Sequence, residues 1–357
     1  MAKRKDAPGN SDLNYARAQK KDDFFTLYED IAAEVEAYVA FDPDVFRGKT
    51  VLCPCDDPAS SNFTKYFTDH FARLGLRRLI STTVAPTAPT GQMSLFPAEA
   101  ARGHGKLGTL DADGARAAAL VGDGDFRSPE VTDLLRGADV VVTNPPFSQF
   151  RDFLKWIMDA GKQFLIIGSI NAATFKEVFP LIRDDRIWLG ATIHSGDRKF
   201  YVPEDYPLRA AGCGVDETGR PFIRVNGVRW FTNLDHAGRH AFLPLRPMAE
   251  NLAQNEKLRR VLRQSYGAED YPRFTHYRVL EVPVTEAIPS DYDGAMAVPV
   301  TFLDKYNPEQ FEIVSANDYR ADASVPLKSH GLIKDKEAAV GDKTTYVRIC
   351  IRRRART

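Results

Sequence analysis

Cysteine is scarce in this chain: there are four among 357 residues, Cys53, Cys55, Cys213 and Cys350. Only the first two are close together, and Cys-x-Cys alone is a poor metal signature. The thiols read as reduced and cytosolic, and no disulfide framework is expected. His236 and His240 have the spacing of a helical metal pair, but Gly238 lies between them and no acidic or cysteine partner is near in sequence. No metal site is expected. Net charge is missing as well: 48 Lys plus Arg face 48 Asp plus Glu. That balance neither argues for nucleic acid nor excludes it, because a basic face can be offset elsewhere. Internal repeats are lacking too. No apolar run approaches membrane-spanning length, and the start MAKRKDAPGN has no signal-peptide core. A cytoplasmic protein with no membrane contact is the expectation.

The composition that remains, 43% hydrophobic and 27% charged, is that of an ordinary globular chain with room for one large domain or two. Residues 1–21 are polar and basic and read as a disordered arm. From residue 22 to about 190, short β-branched runs alternate with amphipathic stretches. Helices are predicted over 22–41, 61–75, 131–136, 150–160 and 174–183, and strands over 50–53, 78–83, 115–121 (with a short helix as the alternative there), 140–143, 163–168 and 186–189. That alternation predicts an α/β fold with a doubly wound, largely parallel sheet. Residues 85–114, rich in Ala, Pro, Gly and Thr, read as a flexible insertion. Beyond 190 the texture changes, and 191–357 is predicted to be a separate, β-rich region ending in a basic tail. Asn226-Gly227 there predicts a hairpin turn between strands at 221–225 and 227–232.

The most informative stretch is Asp139-Val-Val-Val-Thr143-Asn144-Pro145-Pro146-Phe147. A buried strand runs straight into two prolines, which can extend neither a central strand nor a helix interior. The break leaves an amide, a stiff backbone and an aromatic ring at the carboxyl end of a strand, where open α/β sheets bind ligands. An amide oxygen, a backbone carbonyl and a ring suit the capture of a planar ring bearing an exocyclic amine. Turn punctuation with a core Phe147 is the plainer alternative. Three more polar breaks follow strands: Cys53-Pro54-Cys55-Asp56-Asp57, Gly122-Asp123-Gly124-Asp125-Phe126 and Gly168-Ser169-Ile170-Asn171. Singly, their acids could cap helices or form turns. At successive strand ends they would line one edge of a sheet, where carboxylates can accept from the hydroxyls and amines of a nucleoside-like cofactor.

In this order, these segments resemble the S-adenosylmethionine-dependent amino-methyltransferases, and more narrowly the EcoRI-type adenine-specific DNA methyltransferase family. The resemblance rests on DDFFTLYEDIAAEVEAY, CDDPASSNFTKYF, GDFRSPEV, DVVVTNPPFSQFRDFL, FLIIGSINAATFKEVFPLI, RWFTNL and VPVTFLDKYNPEQFEIV, spanning about residues 22–314. It implies a Rossmann-like catalytic sheet with S-adenosylmethionine near Cys53, Pro54, Cys55, Asp56 and Asp57 and near Asp123, Asp125 and Phe126. It further implies that Asn144 and Pro145 accept from adenine N6, with Pro146 shaping the loop and Phe147 stacking on a base flipped out of double-stranded DNA. Residues 191–357 would recognise the target, and the source would be bacterial or phage. The chain departs from the common Gly-x-Gly turn after the first strand, having Cys-Pro-Cys-Asp-Asp-Pro instead. No acid ends the second strand, which closes on Ser81-Thr82-Thr83, so the ribose contact is not assigned.

Basic residues interleaved with aromatics after 190 suit phosphate contact and stacking; Arg198, Lys199, Arg224, Arg229 and Trp230 are the candidates for DNA binding. A monomer is expected, accompanied by a cognate restriction endonuclease that is not a stable partner. Alternative acceptors with the same planar amine are cytosine N4, an RNA adenine or a protein glutamine. A non-catalytic DNA-binding decoy on the same scaffold is the remaining alternative.

Overall fold

The structure is a computed structural model that describes residues 24–85, 103–204, 206–208, 212–322, 331–333, 339–340, 343–344 and 346–355. The expected arm at 1–21 and most of the expected insertion lie outside these residues. In chain order the strands are β1 (Phe25–Thr26), β2 (Thr50–Cys53), β3 (Arg78–Thr83), β4 (Lys106–Asp111), β5 (Gly114–Ala119), β6 (Val140–Thr143), β7 (Gln163–Ser169), β8 (Trp188–Leu189), β9 (Asp197–Tyr201), β10 (Gly214–Val215), β11 (Pro221–Asn226), β12 (Val228–Thr232), β13 (Leu280–Glu281), β14 (Met296–Pro299), β15 (Phe311–Val314), β16 (Ala339–Val340), β17 (Lys343–Thr344) and β18 (Arg348–Arg353). The α-helices are α1 (Tyr28–Phe41), α2 (Asn62–Asp69), α3 (Pro129–Gly137), α4 (Phe150–Asp159), α5 (Phe179–Arg183), α6 (Met248–Gln254) and α7 (Glu256–Val261). No helix among the described residues is long and apolar enough to cross a membrane.

The chain divides into two compact units, one of residues 1–169 and 190–236, the other of 170–189 and 237–357. The division therefore does not fall at 190: the segment 191–236 belongs with the first unit.

In that first unit the strand order is β5-β4-β3-β2-β6-β7-β12. The four central strands β3, β2, β6 and β7 are parallel. β2 and β6 are buried at every position, as expected of strands covered on both faces. Helices start where the sequence supplies caps. Ser61 accepts from Phe63 N at 3.1 Å to open α2, and Ser128, followed by Pro129, accepts from Val131 N at 3.2 Å to open α3. Gly168 allows α4 to sit on the sheet: a Cβ there would lie 2.4 Å from the Phe150 ring.

Three expectations change. The strand expected at 115–121 is half of a hairpin, β4–β5, that runs antiparallel to β3 on the sheet's edge; Lys106–Asp111 was not anticipated. The Asn226-Gly227 step is not a hairpin. β11 pairs with β9 in a small sheet of order β1-β9-β11-β10, whereas β12 pairs antiparallel with β7 in the central sheet. Gly227, at φ 72°, turns the chain from one sheet to the other in a single residue. The helix expected over 174–183 is confined to α5.

The second unit carries a four-stranded sheet, β13-β14-β18-β15, over a core that includes Phe274, Val279, Ala297, Ile333 and Cys350. Within the expected basic tail, Arg352 and Arg353 are not loose: they lie in β18, an interior strand, and pair with Glu312 and Asp293. Deeper in, Arg348 Nε donates to Glu281 Oε1 at 2.8 Å and Tyr266 OH donates to the same oxygen at 2.7 Å.

Candidate active site

The strand order reverses at β2. Its first crossover leads to β3 on one side, and β6 arrives on the other. The loops leaving the carboxyl ends of β2 and β6 therefore meet at a switch point, the usual ligand-binding position of such sheets. The hydrogen bonds show the meeting directly. Asp56 N donates to Thr82 O at 2.8 Å, Thr82 Oγ1 to Pro54 O at 3.2 Å, and Thr143 Oγ1 to Asp56 Oδ2 at 2.6 Å. The acidic loop joins from the far side of β3, where Ala85 N donates to Asp123 O at 2.8 Å and Gly105 N to Gly122 O at 2.9 Å. Gly124, at φ 83°, passes so close to Thr83 that a Cβ would lie 2.5 Å from its carbonyl oxygen. Glycine is required there by both conformation and space.

The Asn-Pro-Pro-Phe loop stands at the centre. Asn144 is half-buried, and its Nδ2 donates to the Phe24 carbonyl at 2.7 Å. That bond fixes the amide's orientation, because only the NH2 end can donate to a carbonyl. Oδ1 is thereby turned the other way, and it is buried with no hydrogen-bond donor among the described residues. Pro145 is buried, and the Pro146 carbonyl is taken by Gln149 N at 2.9 Å. Phe147 is only 5% exposed and packs edge-on against Phe24, with ring centroids 5.7 Å apart.

The acidic candidates separate by how far the protein already uses them. Asp56 is buried and spends both oxygens internally, Oδ1 on Ser61 Oγ at 2.5 Å and Oδ2 on Thr143. Burial pushes its carboxyl up to about 6, against the pull of those two hydroxyls. Asp57 caps Ala59 N and Ser60 N and pairs with Lys106 at 2.6 Å; despite some burial, these contacts hold its carboxyl below the ordinary value. Asp125 is lowered chiefly by Arg127, which it meets at 2.6 Å. Among the described residues Asp123 accepts from Asp125 N, at 3.1 Å. Cys53 is fully buried and its thiol is pushed well up by burial, so its side chain faces the core; Cys55 is half-buried. Phe126 is 4% exposed and packs on Phe153 and Trp156.

The DNA candidates divide. Arg198, Lys199 and Arg224 lie on β9 and β11 of the small sheet, where Lys199 Nζ sits 4.7 Å from the Tyr201 ring centroid and 4.5 Å from that of Phe222. Arg229 and Trp230 are corrected. They lie in β12, buried to 3% and 0% exposure, with Arg229 donating to Val228 O and His194 O. Neither side chain faces solvent, so neither is retained as a DNA contact.

A residue the sequence reading missed is Glu34. Fully buried on α1, it accepts from Ala191 N at 2.7 Å, Thr192 N at 2.9 Å and Tyr38 OH at 3.1 Å, and burial raises its carboxyl. A carboxylate on the apolar stripe Ile31, Val35, Tyr38 was the available signal, since an acid there must find donors.

Comparison with known proteins assigns the chain to a family. The family model described as adenine-specific methyltransferase EcoRI matches residues 12–354. The chain belongs to that family. It is 38% identical over 349 residues to the Type II methyltransferase M.EcoRI of Escherichia coli, covering 96% of both chains. It is 33% identical over 354 residues to the Type II methyltransferase M.MpnI of Mycoplasma pneumoniae, covering 96% of this chain and 98% of that one. A Type II methyltransferase of Mycoplasma genitalium, M.MgeORF184P, is 32% identical over 348 residues, with 96% and 98% covered. No solved structure matches significantly. Membership makes the protein a methyltransferase, and the family implies S-adenosylmethionine as its methyl donor.

Proposed function

We propose that the protein is a site-specific DNA methyltransferase that moves a methyl group from S-adenosylmethionine directly to N6 of a flipped-out adenine. One observation carries this reading: Asn144 Oδ1 is buried and unpartnered while its own amide nitrogen is tied down. An orphaned buried acceptor costs roughly 1–3 kcal/mol, which an incoming N–H would relieve. An aromatic amine supplies such a donor, and the Pro145 carbonyl offers a second acceptor one residue along. Phe147 would contribute a ring edge or face at the base once the target is out of the helix.

The residues at the switch point fit the donor. Asp123 retains an oxygen with no donor among the described residues, and Asp57 and Asp125 each use one oxygen on backbone N–H groups while the other holds an ion pair to Lys106 or Arg127 that a ligand could replace. Pro54, Cys55 and the Cys53 backbone would line the cofactor's near side, and Phe126 its apolar flank. Asp56 would act as a strut beneath the loop and not as a ligand. When bound, S-adenosylmethionine supplies an electrophilic methyl group. The protein's share is to hold the amine in line with it and to strengthen its lone pair through the Asn144 and Pro145 oxygens. Direct transfer needs no enzyme nucleophile, which suits a site where Cys53 is a buried, protonated thiol.

On this reading the parallel sheet is a Rossmann-like cofactor platform, and the small sheet with the second unit reads the target. The enzyme would work as a cytoplasmic monomer of a bacterial or phage modification system, with a cognate endonuclease. Incubation with methyl-labelled S-adenosylmethionine and separate duplex DNA, RNA and protein acceptors tests it. The expected product is N6-methyladenine in duplex DNA at one sequence. Label in cytosine, RNA or protein alone would replace the reading, and no label anywhere would favour a decoy.

A further inference from the structure

We propose that Phe24 is a positioning residue for the Asn144 amide, an inference that rests on the functional reading above. The geometry has two parts. The Phe24 carbonyl accepts from Asn144 Nδ2 at 2.7 Å, and this is the contact that turns Oδ1 away from Phe24. The Phe24 ring, 6% exposed, is wedged among Phe147, Phe200 and Tyr206, with centroids at 5.7, 5.9 and 6.3 Å. The ring is thus an anchor that fixes where the carbonyl stands.

The anchoring matters because a terminal amide torsion is broad and roughly two-fold. Without a fixed acceptor, the amide could present NH2 to the substrate amine as readily as C=O, and two donors would oppose each other. Phe24 removes that ambiguity. The following residues, Phe25 and Thr26, pair with Tyr201 and Phe200 of β9, so the anchor is tied to the small sheet. Alternation along β9 sends Phe200 inward to Phe24, while Lys199 and Tyr201 lie on the other face. The orientation of the acceptor is therefore set by the same sheet that carries Lys199 and Arg224.

The test compares Phe24→Ala, Phe24→Leu and wild type, each also in an Asn144→Ala background, after melting curves establish which variants are folded. Side-chain amide resonances of protein labelled with 15N-asparagine provide a readout independent of turnover. The Asn144 pair, assigned by its loss in Asn144→Ala, is expected to be well dispersed in wild type and averaged in Phe24→Ala. The methylation rate kcat is expected to fall about tenfold or more in Phe24→Ala and less in Phe24→Leu, with KM for DNA changed by no more than about twofold. In the Asn144→Ala background, Phe24→Ala should cost nothing further. Unchanged Asn144 resonances, or an equal loss in both backgrounds, would overturn the proposal. If wild type methylates no DNA, the functional reading fails, and the resonances still decide whether Phe24 orients the amide.

Discussion

Thr143 donates its hydroxyl to Asp56 at 2.6 Å, joining the residue just before Asn144 to the loop that leaves β2. Both partners are buried. The bond makes the two halves of the switch point one object, so a change in the loop after β2 is felt by the Asn144 amide. Thr143→Val keeps the shape and removes the donor, leaving a buried carboxyl oxygen short of a partner. A loss of about 1–3 kcal/mol in unfolding free energy is expected from denaturant titration, together with slower methyl transfer. Unaltered stability would show that the bond is dispensable.

The pH response of Asp56 has a definite sign. Its carboxyl is raised from 3.8 to about 6, so the folded state binds the proton more tightly than the unfolded one. The stabilisation is fully present below about pH 4 and is lost as pH rises through about 6, by about 3 kcal/mol at most. Asp56→Asn should flatten this component. Urea titrations at pH 4.5 and 7.5 are expected to show the variant gaining on wild type with rising pH; parallel curves would refute the assignment.

Removing the amide of Asn144 separates chemistry from folding. Asn144→Ala should reduce kcat at least a hundredfold, matching the roughly 2.7–4 kcal/mol typical of one lost transition-state hydrogen bond. The melting temperature should move only slightly, because the loop keeps both prolines and its packed Phe147. Turnover like that of wild type would remove Asn144 from the mechanism.

The exposed Arg224 of the small sheet and the buried pair of β12 should behave oppositely. Arg224→Ala is expected to lower the slope of log K against log salt by about 1 for duplex DNA, with stability intact. Trp230→Ala is expected to cost about 3–5 kcal/mol of stability through its cavity, leaving the slope unchanged in whatever fraction stays folded. Filter binding at several salt concentrations distinguishes the two.

In the second unit, Arg348→Met strands Glu281 in the core. A loss of about 3–5 kcal/mol is expected, because breaking a buried ion pair leaves an uncompensated charge. Replacing both, as Arg348→Met with Glu281→Leu, should recover most of it. Calorimetric melting of the three variants checks this, and an additive double variant would contradict it.

The strand and break at the candidate site were legible because their signals are local. A β-branched run ending in Asn-Pro-Pro-Phe can only be a strand that stops, whereas the serine caps at Ser61 and Ser128 emerged from the structure. What failed was partner choice. Alternation tells which face of a strand is buried but not which strand lies beside it, so Asn226-Gly227 suggested a hairpin where the chain changes sheets. Val228-Arg-Trp-Phe-Thr232 held a clue in its lack of alternation, the mark of a strand covered on both faces. Arg352 and Arg353 suggested a tail because basic runs at chain ends are commonly solvated, yet their neighbours Ile349 and Ile351 place them in an interior strand.

Gly227 leaves its mark on how this protein can diversify. With a single residue between β11 and β12, adding or deleting one position would invert the facing of every side chain on at least one strand. Domain-swapping experiments should therefore move β9 through β12 as one cassette and place their seams elsewhere. Libraries that vary the small sheet should hold chain length constant across that joint.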